Sequence, residues 1–113
     1  MTGACVIPIG EEQFQAEVVN HPGAVLVDFH TPQCPPCRMM APVLEELCSE
    51  RRSTLKVVKV DAQEYPNLAV EHQVGAVPTF VLYFDGAPIA QTRGYRPKNQ
   101  FEEWLDSELE RVA

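Results

Sequence analysis

At 113 residues, 45% hydrophobic and 22% charged, the chain is sized for a single domain over residues 1–113 with a real hydrophobic core. A formal net charge of -7 excludes the basic footprint that nucleic acid requires, and no apolar run nears the roughly 18 residues of a membrane span. Met1-Thr2-Gly3-Ala4-Cys5 carries neither the basic nor the apolar part of a secretory signal, so a cytoplasmic location is expected.

The first periodic segment, Glu11 to Val19, sets Phe14, Val18 and Val19 at helical spacing and closes on Asn20-His21-Pro22-Gly23. Val25-Leu26-Val27-Asp28-Phe29 is a near-continuous apolar run, the pattern of a central strand buried on both faces. A long helix follows to about Arg52, with Met40, Val43, Leu44 and Leu47 on one side and Pro42 as an expected kink. Leu55 to Val60 is the next strand and Pro66 to His72 a short helix. Thr79 to Phe84 is a strand, Asp85-Gly86 a hairpin turn, and Pro88 to Thr92 the return strand. From Pro97 a last helix carries Phe101, Trp104, Leu105, Leu109 and Val112 on one side. The order (β)αβαβαββα predicts an α/β fold with a mixed sheet and helices on both faces, and functional residues at strand C-termini.

Gln33-Cys34-Pro35-Pro36-Cys37 lies between the central strand and the long helix. Cysteines at i and i+3 share a helix face with Cβ atoms roughly 5–6 Å apart, a small shift from the roughly 3.5–4.5 Å of a disulfide. Pro35 and Pro36 suit a first helical turn, where a missing N–H goes unused. The pair therefore reads as a reversible dithiol/disulfide couple that exchanges electrons with other thiols. A zinc site would need four ligands, and Cys5 and Cys48 are single and far apart, so no metal is expected. Cys48 reads as a small buried apolar residue. Both it and Cys5 are expected to be inert, with a regulatory or intermolecular disulfide at Cys5 as the lesser alternative. His21 and His72 read as surface residues without chemistry. Asp28, a carboxylate inside an apolar strand, costs free energy unless it is used, and burial should raise its pKa. It is either the proton acceptor for Cys37 or a structural partner of Lys59 on the next strand. The residues alone leave both readings open.

Val25-Leu26-Val27-Asp28-Phe29, Cys34-x-Pro36-Cys37-Arg38-Met39-Met40-Ala41-Pro42-Val43-Leu44-Glu45-Glu46-Leu47, Lys59-Val60-Asp61, Val77-Pro78-Thr79 and Gly94 stand in a familiar order and spacing. In these segments the chain resembles the thioredoxin family, over roughly residues 6–112. The resemblance implies a thioredoxin fold, a central mixed β-sheet of about five strands flanked by four helices. It also implies a thiol-disulfide oxidoreductase, a monomer that reduces protein disulfides and holds no bound cofactor. Its reducing equivalents would come from NADPH through a flavin-dependent thioredoxin reductase. Cys34, at a helix N-terminus that favours a thiolate, would be the nucleophile and Cys37 the resolving thiol. Asp28 would accept the Cys37 proton, with Lys59 tuning it. Pro78 would be a cis-proline beside the CxxC, against the alternative of an ordinary strand-opening proline. Pro35, Pro36, Ala76, Val77, Pro78 and Gly94 would form a small apolar docking surface for an extended substrate segment.

Typical thioredoxins read Trp-Cys-Gly-Pro-Cys, with a second tryptophan just after the Asp-Phe pair. Here Gln33 and His30 stand at the tryptophan positions and Pro35 at the glycine. Pro35 removes an N–H that could steady the Cys34 thiolate, while a protonated His30 would favour that thiolate. These effects oppose, so the sign of the change in potential stays open. Alternation puts His30 on the face of Asp28, where it is either a pH-sensitive neighbour or a solvent-facing strand end. Two other functions fit the same residues: a disulfide oxidase or isomerase with a more oxidising pair, or a thioredoxin-fold interaction module dedicated to one partner.

Overall fold

The computed structural model describes residues 5–112. Its centre is a five-stranded mixed sheet in the order β1-β3-β2-β4-β5. The strands are β1 (Ile7–Pro8), β2 (Ala24–His30), β3 (Leu55–Asp61), β4 (Thr79–Phe84) and β5 (Ala87–Arg93). β2 pairs parallel with β3 and antiparallel with β4, which places it in the middle of the sheet with both edges hydrogen-bonded. β1, only two residues long, pairs parallel with β3 at the sheet edge.

Alternation along β2 and β3 divides the core in two. Leu26, Leu55, Val57, Phe80 and Leu82 pack against Met40, Leu44, Leu47 and Cys48 of α2 (Pro35–Glu50) and against Phe101 and Leu105 of α4 (Lys98–Glu110). On the other face, Val25, Val27, Phe29, Val58, Val60 and Val81 meet Phe14 of α1 (Glu11–Phe14) and Leu68 and Ala69 of α3 (Pro66–Glu71). This two-sided burial is the reason the β2 sequence is nearly all apolar.

The first helix widens into an unexpected π-helical turn over Gln15–Val19, in which Asn20 N–H donates to the Gln15 carbonyl at 2.8 Å. α2 runs unbroken across Pro42, whose exposed position leaves the helix's buried face intact. The Asp85-Gly86 turn has both residues at positive φ, 49° and 86°, as a tight hairpin with right-handed twist requires. Asp85 also accepts from the Gly23 N–H at 2.7 Å, tying this hairpin to the start of β2.

Two expectations need correction. Cys5 and Cys48 are not free, incidental thiols: they are disulfide-bonded to one another, with Cα atoms 5.9 Å apart. The chain leading into β1 passes over the second half of α2, so 43 residues of sequence separation close to bonding distance. His72 is not a free surface residue either. Its ring packs against Phe14, Phe29 and Tyr83, and its nitrogens lie 2.8 Å from the Leu68 carbonyl and 2.7 Å from the Tyr83 hydroxyl.

Phe101 is fully buried, edge-on to Phe80 at 4.9 Å between centroids, and it anchors α4 to the sheet. Phe101→Ala should cost about 3–5 kcal/mol in urea unfolding without altering the chemistry of the CxxC. A loss below about 1 kcal/mol would show that α4 does not depend on this contact.

Candidate active site

β2 ends at His30, and the chain then turns into α2 through Cys34. Cys34 is the N-cap of α2, in extended conformation, with Pro35 and Pro36 at the first two helical positions. Neither proline has an N–H, so the first donor of the helix is the Cys37 N–H, which reaches Cys34 Sγ at 3.2 Å. Cys34 and Cys37 are disulfide-bonded, with Cα atoms 5.2 Å apart. Both are almost wholly buried, and Pro35 beside them is exposed.

The second wall comes from the loop before β4. Cys34 Sγ lies 3.7 Å from the Val77 carbonyl oxygen, and the Val77–Pro78 peptide bond is cis. The Thr79 hydroxyl donates to the Ala76 carbonyl and closes this bend. Gly94, at φ 91°, donates its N–H to the Pro78 carbonyl at 2.9 Å. Ala76, Val77, Pro78 and Gly94 are therefore gathered beside Cys34, Pro35 and Pro36, although they come from three separate stretches of chain. Met39 and Tyr95 are also exposed apolar residues, 53% and 42%, the first lying two positions after Cys37 and the second directly after Gly94. Sequence reading passed over both, because helix and loop periodicity do not report which apolar residue is left uncovered.

Asp28 lies in β2, on the face turned toward α2, and is 6% exposed. Its Oδ1 has no hydrogen-bond partner. Lys59 is its register neighbour on β3, yet among the described residues the two form no ion pair. Burial pushes the Asp28 pKa up to about 7, with the Lys59 charge opposing only in part. The simple structural pair considered from the sequence is thus absent.

His30, half-buried at the end of β2, is the register neighbour of Asp61. Burial holds its pKa below the ordinary 6.5, Asp61 acts against this, and Lys59 adds to it. The ring is therefore mainly uncharged at pH 7. Gln33 is exposed, and the groups that meet Cys34 Sγ are the Cys37 N–H and the Val77 carbonyl. Among the described residues no group of three or more His, Cys, Asp or Glu side chains is placed to hold a metal ion.

A disulfide capping a helix N-terminus, at the C-terminal end of a central parallel strand and beside a cis-proline bend, defines a thiol-disulfide oxidoreductase. The thioredoxin family model matches residues 5–107. The thioredoxins of Staphylococcus aureus strains COL and MW2 are each 35% identical to this chain over 104 residues, covering 92% of it and 98% of their own length. The chain belongs to the thioredoxin family.

The raised Asp28 pKa has a stability consequence of definite sign. The unfolded chain gives up this proton near pH 3.8 and the folded one near 7, so stability falls as pH rises through that window. A gap of about three pKa units corresponds to at most about 4 kcal/mol. Asp28→Asn should therefore be more stable than the parent by about 2–4 kcal/mol at pH 8, with the difference vanishing near pH 4. Urea unfolding at the two pH values checks this, and equal stability at pH 8 would refute it.

Proposed function

We propose that the chain works as one thioredoxin-like unit that reduces protein disulfides in the cytoplasm, re-reduced by a flavin-dependent thioredoxin reductase drawing on NADPH. The observation that carries this reading is the N-cap placement of Cys34, with the Cys37 N–H aimed at its sulfur and a buried carboxylate, one oxygen unpartnered, on the α2 face of β2. In the reduced protein, the Cys34 thiolate attacks one sulfur of a substrate disulfide. A Cys34–substrate bond forms, and the other substrate sulfur leaves as a thiolate. Cys37 then loses its proton to Asp28 and attacks Cys34 Sγ. The mixed disulfide breaks, its electron pair leaves with the substrate sulfur, and the Cys34–Cys37 disulfide remains. Two electrons have passed to the substrate. Lys59 modulates Asp28 by its charge, and the Pro35, Pro36, Ala76, Val77, Pro78 and Gly94 surface receives the substrate segment.

Two features favour a reductant over an oxidase. A pair becomes strongly oxidising when its reduced form is specially stabilised. Here two of the first-turn positions that would supply N–H groups are prolines, and the nearby imidazole is uncharged at pH 7. The Cys34 thiolate thus has little extra support, which keeps the dithiol a good electron donor.

Equilibration in thiol/disulfide buffers, with alkylated thiols counted by mass, tests the reading. A potential near about -270 mV, the established poise of thioredoxin, is expected; one near about -180 to -120 mV would mean oxidase or isomerase chemistry. No exchange at all would leave an interaction module. Cys37→Ser should accumulate a stable Cys34 mixed disulfide with substrate, visible on a non-reducing gel. Cys34→Ser should form none and lose essentially all disulfide reduction.

A further inference from the structure

The Cys5–Cys48 disulfide stands apart from the active site, with Cys48 eleven residues beyond Cys37 along α2, or roughly 16 Å. It borders an open-sided cavity of about 500 Å³ at the N-terminal ends of β2 and β3. Both cysteines line this cavity, as do His21, Arg52 and Lys56, and no carboxylate among the described residues does. In a chain of net charge -7, this lining places the Arg52 guanidinium beside the disulfide with no carboxylate in the same wall. Lys56 is already paired with Glu17, and Asp85 accepts from the Gly23 N–H, so the charge left to meet an incoming anion is that of Arg52. Arg52 is exposed and, among the described residues, forms no ion pair.

The two sulfurs are not equivalent. Cys48 is 3% exposed and sits in the apolar core among Leu44, Leu47 and Leu55, whereas Cys5 is half-buried at its edge. Cys5 is thus the more accessible of the two residues. Glu45, one helical turn before Cys48, accepts from the backbone N–H groups of Cys5 and Val6 at 3.2 and 3.3 Å. These bonds tie the Cys5 segment to α2 independently of the disulfide itself.

The geometry points to a second thiol-exchange site, at which a small anionic thiol enters the cavity beside Arg52 and forms a mixed disulfide with Cys5. The thiolate attacks Cys5 Sγ and a new S–S bond forms. The Cys5–Cys48 bond breaks, and its electron pair leaves with Cys48 Sγ, which takes a proton from water. No further oxidant or reductant is consumed. Reclosure is the reverse step, with Cys48 expelling the small thiol.

Glutathione, neutral 2-mercaptoethanol and cationic cysteamine, compared at equal thiolate concentration, test this on the oxidised full chain by acid quenching and peptide mass mapping. Glutathione should modify Cys5 about fivefold faster than 2-mercaptoethanol, the scale of one charge pair in water, and cysteamine should be slowest. Arg52→Ser, a change at an exposed position, or about 0.5 M salt should erase that preference. Equal rates for the three thiols, or an adduct on Cys48 in place of Cys5, would overturn the site. In a Cys34→Ser/Cys37→Ser variant the same rates should persist. Their loss there would mean that Cys5 is reached only by relay from the CxxC, and would refute direct entry without touching the proposed reductase activity.

Discussion

The structure turns on a carboxylate that the fold buries and does not satisfy. β2 must be apolar because it is covered on both faces and paired on both edges, yet Asp28 stands within it with one oxygen lacking any partner. A buried ion of this kind is tolerated only where the molecule gains something else from it. Here it occupies the sheet face covered by α2, and its pKa lies near neutrality, where a group can both take and return a proton. Lys59 on the neighbouring strand softens the penalty without forming an ion pair that would pin the carboxylate in its charged form.

The helix N-terminus supports the Cys34 sulfur, and it does so sparingly. A helix start normally offers several free N–H groups to an anion. In α2 two prolines take up the first positions, leaving the Cys37 amide as the donor for Cys34. The prolines stiffen the turn that holds the two sulfurs together while withholding stabilisation from the thiolate. Rigidity and sparse support for the thiolate thus come from the same two residues.

α2 carries a disulfide at each end, and the two environments differ in kind. Cys34–Cys37 caps a helix start, where the departing thiolate meets an amide and a partial positive charge. Cys5–Cys48 joins a half-buried sulfur to one enclosed by leucines, with a carboxylate of α2 gripping the backbone on the exposed side. The same cross-link holds the short edge strand β1 in place, since two residues of pairing with β3 give it little hold of their own.

Much of this was legible without coordinates. The apolar run of β2, the periodicity of α2 and α4, the Asp-Gly hairpin and the CxxC at a helix start all follow from local steric and hydrophobic rules acting over a few residues. Asp28 was recognisable as costly because a charge within an apolar run is conspicuous in one dimension. Other features depended on distance in space. Which acids and bases actually pair is such a feature, and Asp28 and Lys59 do not pair although their strands do. The environment of His72 is another, set by aromatic rings from three other elements. So is the Cys5–Cys48 bond: two single cysteines 43 residues apart carry no local signal, and only the path of the N-terminal segment across α2 brings their sulfurs together. Short-range patterning determined the elements and the reactive pair, because those depend on neighbours along the chain. Burial, partner choice and the second disulfide were decided by tertiary packing, because they depend on neighbours the chain meets only once it has folded.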